Sequence, residues 1–174
     1  MFSSFSDTCF FTATINSWKH LLSNEKRISV LIDSLDYFCR EKRIQLHAFV
    51  IMPNHLHLIL TLGENESQLT FQRDFLKYTA QQLIKLIIEN NEDEELLPYL
   101  STQNDRIYHI WERRPRWIPI DNALIFEQKM QYVHENPVQE KWSLSNHPED
   151  YAWSSASYYM SGDSSFYFLT DIDD

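Results

Sequence analysis

The sequence predicts an α+β fold: a ferredoxin-like antiparallel sheet with helices on one face and one further helix added to it. Three observations carry this. The apolar runs come in the order strand, helix, strand, strand, helix, strand, which is the split β-α-β plan. The turn signal Pro53-Asn54 joins two of these runs directly, so they form an antiparallel hairpin. A third helical run follows the fourth strand and lies outside that plan.

Residues 8–15 (T-C-F-F-T-A-T-I) are aromatic and β-branched, the composition of a strand. Ser23 or Asn24 caps a helix running to about Arg43, with Ile28, Leu31, Leu35 and Phe38 at helical spacing. Residues 44–52 and 55–62 (H-L-H-L-I-L-T-L) are the hairpin strands. A second helix over about 68–89 has Phe71, Phe75, Ala80, Leu83, Ile84 and Ile87 on its apolar face. An acidic loop, E-N-N-E-D-E-E, follows, and residues 107–111 are expected to be the fourth strand. The third helix spans 122–136 and is stopped by Pro137. Beyond it come an aromatic, serine-rich stretch, a short edge strand expected at 166–169, and an acidic tail at 170–174 that is expected to fray.

A chain of 174 residues fits one domain, with its core over about 8–159. No stretch approaches the ~20 apolar residues of a membrane span. The start Met1-Phe2-Ser3-Ser4-Phe5 lacks the basic and apolar regions of a signal peptide, so the cytoplasm is the expected compartment. Cys9 and Cys39 are then expected as buried thiols and not a disulfide.

The chemistry lies in two motifs. His55 and His57 alternate with Leu56, Leu58 and Leu60, so both imidazoles share the face opposite the core. They are either surface histidines or a metal platform on an open sheet face. Two histidines are too few for a closed zinc site but suit an octahedral Mg²⁺ or Mn²⁺ completed by oxygen ligands. His47, on the partner strand, is expected to be structural. On the third helix Phe126, Met130 and Val133 face inward, while Gln128, Tyr132 and Asn136 form another file. Tyr132 and Asn136 are either packing or, if this helix lies over the histidines, a nucleophile and a third metal ligand. His134 is expected to pack or cap, and Glu135 is a reserve ligand.

Together, V-I-M-P-N-H-L-H-L-I-L and Y-V-H-E-N-P-V resemble the REP-associated tyrosine transposases, of the His-hydrophobic-His single-tyrosine superfamily. F-L-K-Y-T-A, I-W-E-R-R and P-E-D-Y-A-W-S-S-A add to the resemblance. It implies a divalent metal, Mg²⁺ or Mn²⁺. It also implies single-stranded DNA cleavage and rejoining through a 5′-phosphotyrosine, beside palindromic, REP-like hairpin DNA. His55, His57 and Asn136 match the ligands, and Tyr132 matches the nucleophile. The protein would act as a monomer or homodimer. After N-P-V, where many members carry a basic, glycine-containing run, this chain has Q-E-K-W-S-L. A hairpin-binding protein without catalysis, and a small-phosphoester hydrolase in which Tyr132 only packs, are the rival readings.

The net charge of −10 argues, as a total, against a polyanionic partner. The acids cluster, however, in the loops and the tail. Arg73, Lys77 and Lys85 line one face of the second helix, and Arg113, Arg114 and Arg116 lie between Trp111 and Trp117. Arginines hold phosphates and aromatics stack unpaired bases, so these eight residues are the expected DNA contacts. Binding to random duplex should be weak and salt-sensitive.

Overall fold

The computed structural model describes residues 5–172. Residues 1–4 and the tail residues Asp173 and Asp174 lie outside them, so the signal-peptide reading and the tip of the acidic tail do too. Four strands form one antiparallel sheet: β1 (Thr8–Thr14), β2 (Ile44–Met52), β3 (His55–Leu62) and β4 (Arg116–Pro119), in the order β2-β3-β1-β4. Helices α1 (Glu25–Arg40) and α2 (Gln68–Glu89) cover one face. Their apolar stripes meet Phe11, Leu56, Leu58 and Leu60, while Phe71 stacks on Phe75 at a centroid distance of 5.4 Å. Helix α3 (Ala123–Glu135) covers the other face, packing Phe126 and Val133 on Phe10, Val50 and Ile59. The fold is therefore the expected α+β one, with both layers closed. Among the described residues no helix is long and apolar enough to cross a membrane.

Local chemistry explains the helix ends. Asn24, Ser67 and Asn122 each accept a backbone N–H of the first turn, at Arg27, Thr70 and Ile125. Helix α1 stops at Arg40, short of the expected Arg43, because Lys42 turns left-handed (φ 55°). The N–H groups of Lys42 and Arg43 then bond back to the carbonyls of Cys39 and Phe38, a Schellman ending built without glycine. The acidic loop is not loose: Arg27, buried beneath it, pairs with Glu92 and Glu95 at 2.7 Å each.

Two strands differ from expectation. Residues 107–111 make only isolated bridges, Leu100 to Tyr108 and Ile15 to Trp111. They run past the end of β1, and their apolar side chains Ile110 and Trp111 fill the core instead of building a ladder. The edge of β1 is taken by Arg116–Pro119, whose arginine and terminal proline suit an edge strand. Residues 166–169 likewise form a single bridge, Leu46 to Leu169. With the bridge from Val50 to Ser154, they cover the outer edge of β2 in two short patches. The tail does not fray at Thr170, whose N–H donates to the Leu46 carbonyl at 2.9 Å. A short helix, α4 (Ala156–Ser161), completes this segment, and both cysteines are free thiols.

Candidate active site

The β2–β3 turn delivers His55 and His57 to the face shared with α3. His55 lies opposite Thr14 of β1 and Met52 of β2, and His57 opposite Thr12 and Val50. Their ring centroids are 4.8 Å apart. The face is not open, contrary to the sequence reading. Helix α3 and the chain after it cover it, leaving His55 7% and His57 5% exposed. Phe10 stacks on His57 at 5.1 Å, and Trp142 packs on His55 at 5.6 Å.

Each imidazole is held from behind. Asn54 Oδ1 accepts from His55 Nδ1 at 2.6 Å, and Thr12 Oγ1 bonds His57 Nδ1 at 2.8 Å. With Nδ1 as the donor, each Nε2 keeps a lone pair. His57 Nε2 is buried and has no hydrogen-bond partner, and the same is true of Asn136 Oδ1. Asn136 stands at the end of α3, is 2% exposed, and its amide lies beside His55. Buried polar atoms without partners are uncommon and call for a ligand. Two imidazole nitrogens and an amide oxygen are a donor set that fits a divalent cation. Among the described residues no three His, Cys, Asp or Glu side chains group so as to hold a metal ion, and the oxygen beside these two histidines is that of an amide.

Tyr132 reaches over the same site. Its ring lies 5.2 Å from that of His57, and the residue is 43% exposed. The hydroxyl-bearing residue is thus the wet member of a buried group. Lys129, one turn earlier, holds its Nζ 4.8 Å from the Phe10 centroid and 5.9 Å from that of Tyr132. Lys141 is close enough to act on both histidines. Sequence reading missed Lys129, Lys141, Thr12 and Asn54. Of these only Lys129 carried a signal, its i−3 spacing from Tyr132 on the helix.

The remaining candidates divide. His47 is structural, bonding the Thr170 carbonyl at 2.8 Å and Thr61 Oγ1 at 2.9 Å. His134 packs against Ser155 Oγ at 2.9 Å, and Glu135 is taken up by Gln131 at 2.8 Å. Trp111 and Trp117 are not available to stack bases. Trp111 is buried in the core with its Nε1 donating to Thr79, and Trp117 lies on Phe11 at 4.5 Å with its Nε1 donating to Gln72. Arg116 is exposed and pairs opposite Thr12, so it shares the histidine face. Arg113 and Arg114 are exposed in the loop before β4. Arg73, Lys77 and Lys85 are exposed on α2, in the layer on the other side of the sheet from Tyr132. There Arg73 pairs with Asp74 and Lys85 with Glu89.

Burial holds four imidazoles, His47, His55, His57 and His134, below the ordinary value of 6.5. His55 and His134 fall to about 4. A depressed pKa means that the unfolded chain binds protons the folded chain refuses. Stability is then full above about pH 6.5 and is lost as the pH falls toward about 4. Thermal melts of the metal-free protein should show a Tm that is flat near neutrality and falls from about pH 6.5 downward. A Tm unchanged down to about pH 5 would contradict neutral buried imidazoles.

No protein-family model and no curated protein matches the chain. Solved structures do. A REP-associated tyrosine transposase bound to a REP hairpin superposes with a TM-score of 0.62 and 20% identity, over 97% of this chain and 88% of that one. A structure from Deinococcus radiodurans R1, of a candidate transposase, gives a TM-score of 0.48 and 17% identity, over 74% of this chain and 88% of that one. The shared property is the fold, which the first of these carries across nearly the whole chain.

Proposed function

We propose that this chain works as one domain, in the cytoplasm, as a tyrosine transposase-like enzyme. It cleaves and rejoins single-stranded DNA beside palindromic, REP-like hairpins. One observation carries the reading: partnerless His57 Nε2 and Asn136 Oδ1 are buried beneath a solvent-exposed Tyr132. A divalent cation would satisfy both atoms, and the exposed phenol stands beside them where a substrate can reach it. The likeness of fold to a hairpin-bound transposase supports it.

His55, His57 and Asn136 would hold the metal, Mg²⁺ or Mn²⁺, which when bound would supply positive charge against the scissile phosphate. Tyr132 Oη attacks phosphorus and forms the O–P bond. The bond from phosphorus to O3′ breaks, the phenol proton passes to water, and the departing O3′ takes a proton from water and leaves as the 3′-hydroxyl. The product is a 5′-phosphotyrosine, which an incoming 3′-hydroxyl resolves by the reverse step. Lys129 brings positive charge to the ring that must become a phenolate. Asn54 and Thr12 fix the imidazoles through Nδ1, which leaves the Nε2 of each ring for the metal. Arg116 holds phosphate on the Tyr132 side, Arg113 and Arg114 hold phosphates at the loop before β4, and Arg73, Lys77 and Lys85 form a remote strip. Histidines and tyrosine of one copy suffice, so the reaction runs in cis.

The test is a 3′-labelled, hairpin-containing single strand incubated with protein and Mn²⁺. A protein–DNA adduct that survives denaturation, and that a chelator prevents, is the expected result. Cleavage that leaves no label on the protein would overturn the covalent route. Tight hairpin binding with no cleavage would favour a binding protein instead. The support of His55 has its own test: Asn54→Ala should weaken Mn²⁺ binding about ten- to a hundredfold by calorimetry. Unchanged affinity would mean that Asn54 serves only the turn.

A further inference from the structure

The two tryptophans that flank the arginines in sequence are packed away, but a third stands beside them in space. Trp18, in the turn after β1, is 64% exposed. With Thr14, His109, Glu112, Arg113 and Arg114 it lines a cleft of about 460 Å³. Thr14 lies opposite His55 in the sheet, so one wall residue of the cleft neighbours the candidate metal ligand.

The cleft is built, and its construction is costly. Ser17 and Trp18 are both left-handed (φ 57° each), a conformation that side chains other than asparagine, aspartate and glycine seldom adopt. Three bonds hold them there. The Trp18 N–H donates to the Ile15 carbonyl at 2.9 Å, and the Ser17 N–H donates to Glu112 Oε1 at 2.7 Å. The Trp18 carbonyl accepts from Asn54 Nδ2 at 3.1 Å. Asn54 is the same side chain whose Oδ1 receives His55 Nδ1–H. The strained turn is thus bolted to a candidate metal ligand through one amide. In the wall, His109 Nε2 has no hydrogen-bond partner. Glu112 is the acid of the lining, and its engagement with Ser17 leaves the two arginines to set the charge toward solvent.

We propose that this cleft is a subsite for one unpaired nucleotide of single-stranded DNA, the base stacked on the Trp18 indole and its phosphate held by Arg113 and Arg114. An exposed indole beside two guanidiniums is the pairing that unpaired nucleotides use and duplex does not. The inference rests on the reading of the chain as a DNA enzyme, but its test does not need catalysis.

Oligothymidylate is titrated into Tyr132→Phe protein in chelator, with tryptophan emission and fluorescence anisotropy as readouts. Binding should quench the emission. Trp18→Leu should abolish the quench and weaken binding about tenfold. Arg113→Gln with Arg114→Gln should flatten the dependence of log affinity on log salt by about 0.7, the value for one phosphate. Unchanged melting curves establish that these variants fold. The subsite is overturned if Trp18→Leu binds as tightly as its parent, if the arginine pair leaves the salt slope unchanged, or if oligouridylate binds more tightly than oligothymidylate. A covalent adduct alongside any of those results removes the subsite and leaves the enzyme. Loss of binding in Trp18→Leu with no adduct under any condition leaves the subsite and removes the covalent chemistry.

Discussion

Tyr132→Phe protein forms no denaturation-resistant adduct with hairpin DNA, a loss of about a thousandfold or more in the cleavage rate. The expectation is this large because the other exposed groups near the histidines cannot replace the phenol. Glu135 is bonded to Gln131, His134 is buried against Ser155, and Lys129 and Lys141 are cations. The substitution removes one exposed oxygen and keeps the ring contacts with His57 and Phe10, so folding and Mn²⁺ binding should survive. A protein that binds the hairpin as before, binds Mn²⁺ as before and does not cut is the expected triple result. An adduct formed by Tyr132→Phe, mapped by mass spectrometry to another residue, would sink the assignment.

His57→Ala is the second large effect. It should weaken Mn²⁺ binding by more than about a hundredfold, since even support residues behind metal ligands are worth ten- to a hundredfold. The same variant loses the Phe10 stack and leaves Thr12 Oγ1 without its partner. Its Tm without metal should fall as well. Metal binding is therefore best read from the rise in Tm with added Mn²⁺: about 2.7 kcal/mol of stabilisation at a hundredfold excess over Kd in the parent, and at most about 0.4 kcal/mol in His57→Ala at the same concentration. An equal rise in both would place the ion elsewhere. Mixing His57→Ala with Tyr132→Phe separates the two geometries of attack. Chemistry in cis predicts no activity in the mixture, whereas restored adduct would mean that Tyr132 serves a partner's histidines.

Much of this was legible in the sequence, and the reason is periodicity. A strand that alternates leucine with histidine can point its imidazoles only one way, and a tyrosine four residues before an asparagine must share its helix face. These patterns are local, and the structure brings all four side chains together. What failed was non-local. The fourth strand, Arg116–Pro119, is charged and ends in proline, so it reads as loop, while residues 107–111 read as strand because they fill the core. Trp111 and Trp117 looked alike in the sequence to an exposed stacking pair, but their burial is set by Thr79, Gln72 and Phe11 on other elements. Thr12 and Asn54 carry no sequence signal at all, because what they do depends on which strand lies beside β3 and on where a turn comes to rest. Part of the negative charge is likewise placed by the fold: Glu66, Glu92 and Glu95 pair with Arg43 and Arg27, away from the histidine face.

With metal and DNA bound as proposed, the single amide that joins His55 to the Trp18 carbonyl would couple the two. If an ion on His55 steadies Asn54, it steadies the turn that carries Trp18, and a base seated on Trp18 steadies His55 in return. Linkage makes the exchange symmetrical: whatever factor Mn²⁺ adds to oligonucleotide affinity, the oligonucleotide must add to Mn²⁺ affinity. An enzyme wired this way gathers its ion most tightly when a strand is already in place.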